Sequence, residues 1–220
     1  KPMQHKDAVS FHQFGEMYQC NELKFIPQIV FGRPLINKIG AKERVVIFET
    51  DKDHVNDIGY DLESFIKNFD QEKRQYETER WTMIAKEEYS SIASFSLLLF
   101  ELTAHGAPLY LQEMITKAIQ DEIKHTQMAL NMVHLLTHST KENQLKLPDL
   151  PDSIVLKSLK VIYQDTARDL EAEYLSAQKL KNEASEYSGC EYGDMLNEIA
   201  MDEFRHAEIG KEICKWIKEN

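Results

Sequence analysis

The chain has 220 residues, 42% of them hydrophobic, and carries a formal net charge of −11. That length supports one domain with a sizeable core, and the acidic balance argues against an electrostatic grip on nucleic acid or anionic lipid. Cys20, Cys190 and Cys214 are widely spaced with no Cys-x-x-Cys pair, which excludes a cysteine-held iron or zinc knuckle and fits a reducing compartment.

Residues 1–56 read as an extension or cap. They contain Pro2, Pro27, Pro34, Gly32 and Gly40 and two short apolar runs, Phe25 to Phe31 and Arg44 to Glu49. The β-branched Val45-Val46-Ile47-Phe48 reads as a strand, with the earlier run as its expected hairpin partner. His5, His12 and His54 have no partner at helical spacing and are not expected to bind metal. The apolar run Ile92 to Phe100 is too short to span a membrane, and the chain opens on Lys1 with no secretory signal pattern. A cytoplasmic location is expected.

Residues 57–220 turn helical. A short helix is expected within Asp61 to Asp70, then a long one from about Glu72 to Ala104 with Trp81, Ile84, Glu88, Ser91, Phe95, Leu98 and Leu102 on one stripe. Gly106-Ala107-Pro108 closes it and opens a second helix to Leu136, whose stripe holds Ile115, Ala118, Glu122, His125, Ala129, Met132 and Leu136. Thr137 to Pro151 forms one long crossover, and Pro151-Asp152-Ser153 is expected to start a third helix carrying Thr166, Leu170, Glu173, Ala177 and Leu180 to about Glu183. The last helix runs from about Glu191 to Lys218 through Leu196, Ile199, Glu203, His206, Gly210 and Ile213. Gly210 is expected to leave room beside His206.

Two short motifs repeat across these halves: Asp121-Glu122-Ile123-Lys124-His125 and Asp202-Glu203-Phe204-Arg205-His206. Glu and His three residues apart on a helix share one face, so each copy can hold one metal ion from two sides. Each half also places a lone Glu on its first helix, Glu88 or Glu173. Two packed helical hairpins would gather four Glu and two His in the core of an all-α four-helix bundle. Imidazole and carboxylate donors suit two ions of iron or manganese, and cations explain the burial of carboxylates that would otherwise cost many kcal/mol. Glu87 lies a third of a turn off the Glu88 stripe, while Glu171 is the alternative to Glu173. Asp121 and Asp202 are candidates to orient His206 and His125 from the opposite helix, because a metal-bound His donates its other ring N–H to a carboxylate or carbonyl. Glu101 is expected at the surface or in a cap. Tyr163 and Tyr174 read as core aromatics, with a redox role near the metals as the alternative.

The six residues Glu88, Glu122, His125, Glu173, Glu203 and His206, over about residues 72–218, resemble the ligand pattern of the ferritin-like di-iron carboxylate superfamily. The run from Glu88-Tyr89-Ser90-Ser91 through Gly106-Ala107-Pro108 to His125 is similar to a group of bacterial ferritin-like proteins. Those carry His in place of Tyr89 and Gly-Glu-Thr in place of Ala172-Glu173-Tyr174. The resemblance implies a ferritin-like bundle and a dinuclear centre reacting with dioxygen or peroxide. The function expected is an oxidoreductase that uses two iron ions to oxidise or oxygenate a small organic substrate, with an external electron donor. Ferroxidase or iron-handling activity, and di-manganese peroxide decomposition, are the alternatives. The assembly, a homodimer included, stays open.

Overall fold

The computed structural model describes residues 43–48, 59–138, 143–148 and 154–220. Within these, the fold is all-α apart from one two-stranded ribbon. The elements are β1 (Glu43–Phe48), α1 (Glu63–Ile66), α2 (Gln71–Ala104), α3 (Leu109–Thr137), β2 (Asn143–Pro148), α4 (Leu159–Glu186) and α5 (Glu191–Glu219).

Local chemistry sets the helix ends. Asp70 accepts a hydrogen bond from the Lys73 amide at 2.8 Å, capping the first turn of α2. The far end closes with Gly106 at φ +76°, its amide bonded to the Thr103 carbonyl at 3.0 Å and the Ala107 amide to Leu102 at 2.9 Å. That pair of bonds is a Schellman motif, which needs a left-handed residue at the Gly106 position. Pro108, which has no amide hydrogen to leave unpaired, then leads into α3. Gly193 permits the α4–α5 turn to fold back on α5, since a Cβ there would lie 2.2 Å from the Tyr187 carbonyl oxygen.

Two hairpins result, α2 with α3 and α4 with α5, and they pack on one another. Arg74 on α2 donates to the Leu136 carbonyl at 3.3 Å, so α3 ends beside the start of α2. His105 Nε2 donates to the Lys157 carbonyl at 2.7 Å, so α4 begins beside the end of α2. The end of α3 and the start of α4 therefore lie at opposite ends of the 34-residue α2, which is about 50 Å long. The register follows: Arg80 meets Glu183 near one end of α2, and Glu101 meets Lys157 near the other.

Among the described residues β1 pairs with β2 in the crossover, antiparallel from Glu43 with Pro148 to Phe48 with Asn143; the expected pairing with Phe25 to Phe31 lies outside the described residues. Two sequence expectations change. The third helix begins at Leu159 rather than at residues 151–153. Residues 154–158 are non-helical, and Ile154, Val155 and Leu156 are consecutive exposed apolar residues, a pattern that offers no helical stripe to bury. Gly210 does not leave a gap: a Cβ there would meet Leu170 Cβ at 3.2 Å, so its smallness lets α4 and α5 approach.

The core lies in two apolar clusters. One, toward α1, contains Trp81, Ile84, Ala85, Met128, Leu180 and Tyr192; the other, toward the α2–α3 turn, contains Phe95, Leu98, Leu102, Ile115, Ile209 and Ile213. The helical periodicity leaves a polar layer between them.

Candidate metal centre

Each long helix contributes the residue its apolar stripe carries inward at mid-length. Glu88, Glu122 and Glu203 have no exposed surface, and His125, Glu173 and His206 expose 1% each. Glu171 is exposed, and Glu87 is only partly buried, so helical phase separates each from its inward neighbour. Donor atoms of Glu88, Glu122, His125 and Glu203 lie within 4.8 Å of one another, as do those of Glu173, Glu203 and His206. Glu203 is common to both groups.

The two imidazoles turn the same nitrogen inward. His125 Nδ1 lies 3.4 Å from Glu88 and 3.6 Å from Glu203; His206 Nδ1 lies 3.2 Å from Glu122 and 3.8 Å from Glu203. The other ring nitrogens face aspartates across the helix pair. His125 Nε2 donates to Asp202 at 3.1 Å, and His206 Nε2 lies 3.5 Å from Asp121. An imidazole with one nitrogen fixed by a carboxylate and the other aimed at a cluster of oxygens has the arrangement used to hold a metal.

The cluster is electrostatically unbalanced by itself. Among the described residues, the carboxylate oxygens of Glu88, Glu122 and Glu203 and the inward nitrogens of both histidines make no well-formed hydrogen bond. Burial pushes Glu122 well above the usual carboxylate range, helped by the charges of Glu88 and Glu203; burial and Glu173 do the same to Glu203. Burial also works on Glu88, but adjacent His125 outweighs it and holds that carboxyl low. Burial opposes a charge on His125, yet Asp202 and Glu88 prevail and lift it to about 9. Two divalent cations would match four carboxylates and two neutral imidazoles in charge, and the donor types fit such ions. The residues present therefore fit the group they suggest.

The surroundings are apolar on the inside and ionic on the outside. Phe95 packs its ring against His206 at 5.2 Å between centroids. Toward solvent, Arg205 donates to Asp121 at 2.9 Å and pairs with Asp202, while Lys117 pairs with Asp121. The sequence shows a basic residue before each motif His but no role for Arg205, and Lys117, one turn before Asp121 on α3, was missed.

Other expected positions fall elsewhere. Glu101 is buried at 3% exposure, with Lys157 at 3.9 Å, rather than at the surface, and burial raises its pKa. Tyr174 is 44% exposed and packs against Phe204, and Tyr163 is partly buried beneath Lys218, so neither is a fully buried core aromatic. His5, His12 and His54 lie outside the described residues. Among the described residues no helix is long and apolar enough to cross a membrane. Comparison with family models, with curated proteins and with solved structures finds no match to the chain.

Proposed function

We propose that Glu88, Glu122, His125, Glu173, Glu203 and His206 hold two metal ions, iron foremost, in a ferritin-like four-helix bundle. On this reading the protein is an oxidoreductase that uses dioxygen to oxidise or oxygenate a small organic substrate. The observation that carries it is the buried layer itself: four carboxylates and two inward-facing Nδ1 atoms converge in donor groups whose charge two divalent cations would offset. When bound, two iron ions would supply the oxygen-activating redox chemistry that no side chain provides.

The chain's own residues have distinct parts. Glu203, shared by both groups, would help hold both ions, and Glu122 belongs to the group of Glu88 and His125 while lying 3.2 Å from His206 Nδ1 in the other. Asp202 accepts the Nε2 proton of His125, which turns that Nδ1 lone pair inward, and Asp121 lies 3.5 Å from His206 Nε2, where it would play the same part. The two flanking apolar clusters exclude water, so charges in the layer interact strongly.

The test is elemental analysis of protein purified without chelator, then anaerobic ferrous loading and mixing with air while the visible spectrum is recorded. About two irons per chain and a transient visible band on mixing support the reading. Retained manganese with gas evolved from peroxide would replace it by peroxide decomposition. Hundreds of irons per assembly would make the protein an iron store, and absence of any metal would reject the centre. His206→Ala is expected to take metal content from about two ions per chain to about one or none, measured by the same analysis.

A further inference from the structure

The two motif copies differ at two positions, and the geometry makes the second of them decisive. Lys124 and Arg205 occupy the same place, immediately before the motif His. Lys124 turns away from the centre and pairs with Glu198. Arg205, 49% exposed at its side chain, instead forks inward, one arm donating to Asp121 Oδ2 across the helix pair at 2.9 Å and the other pairing with Asp202 on its own helix. Each of those aspartates faces the Nε2 of a different histidine. One guanidinium therefore closes a continuous chain: His125, Asp202, Arg205, Asp121, His206.

Taking the proposed two-ion centre as its basis, we infer that Arg205 is a positioning residue that couples the two metal positions, so that filling one prepares the other. An ion held by His125 would order that ring, whose Nε2 proton is donated to Asp202. Asp202 is held by one arm of Arg205, and the planar fork then fixes the second arm on Asp121, which lies 3.5 Å from His206 Nε2 and would orient that ring. The ordering cost of the shared arginine falls on the first ion, and the second finds its histidine already aimed; this is positive coupling through a common element. A lysine in place of the fork could not do this, because an ammonium is a point charge on a flexible stem rather than a rigid two-armed donor. The dependence is unequal between halves. Asp121 has a second cation in Lys117, whereas among the described residues Asp202 has Arg205 as its lysine or arginine partner.

The experiment titrates metal-free full-length chain with cobalt(II), following visible absorption and, in parallel, the ions bound per chain by elemental analysis. The wild-type chain is expected to take up two ions in one steep phase. Arg205→Met and Arg205→Lys are expected to bind in two resolved phases, the weaker shifted by about 10-fold to 100-fold in affinity, the usual effect of losing a group that orients a ligand. Lys124→Met is expected to titrate as wild type. Far-UV circular dichroism checks folding, and should Arg205→Met fail to fold, Arg205→Lys decides. A single steep phase in Arg205→Lys, or wild-type binding already in two phases, overturns the coupling while leaving a two-ion centre in place. Uptake of fewer than two ions by the wild-type chain rejects the centre itself, and the coupling with it.

Discussion

On α4, Glu171 and Glu173 stand two residues apart, one exposed and the other 1% exposed between the hairpins. Glu173→Gln is expected to reduce bound metal to about one ion per chain, and Glu171→Gln to leave it at about two, read by elemental analysis. Equal loss in both variants would mean the inward position is not the ligand. Similar reasoning applies to Arg80, which is 9% exposed and bonded to Glu77 at 3.1 Å, Tyr192 at 3.0 Å and Glu183 at 2.6 Å. Removing one partner of a buried ion pair strands the others, so Arg80→Ala is expected to destabilise the fold by about 3 kcal/mol in urea unfolding. A change below about 1 kcal/mol would show that water reaches the stranded carboxylates.

The elements were legible where periodicity and punctuation agree. Every residue of the expected α2 and α3 stripes is buried, because a 3.6-residue repeat and the Gly106-Ala107-Pro108 stop point to one solution. Gly106→Ala forces a Cβ into left-handed backbone and is expected to cost about 1 kcal/mol in thermal unfolding. Gly193→Ala should cost more, since its Cβ would collide with the Tyr187 carbonyl rather than meet open space as at Gly106. No loss in Gly193→Ala would show that the α4–α5 turn can shift. The start of α4 and the pairing of β1 were not legible. Pro151-Asp152-Ser153 is as good a helix opening as Ser158 by local chemistry, and a strand's partner depends on which segment the fold brings alongside.

For the whole molecule, the polar layer divides what would otherwise be one continuous apolar core. Cations that bind the folded chain and not the unfolded one stabilise it by mass action. Adding a divalent metal to chelator-treated protein should therefore raise the melting temperature, with a smaller rise in Glu122→Ala and none expected from a monovalent salt at equal ionic strength. An unchanged melting temperature would show that the layer satisfies itself by sharing protons. The six inward residues could be named from sequence because helical spacing alone fixes which side chains share a face. Pairing of the faces is a different matter. The crossed approach of Asp202 to His125 and Asp121 to His206 was expected from the motif, but that Arg205 spans both aspartates while Lys124 pairs with Glu198, and that the β1 strand lies along the crossover, depend on how hairpins dock. A single helix's sequence holds its own phase, but the partner, level and tilt of the next helix are set by packing of side chains distant in the chain, and only the tertiary structure decides them.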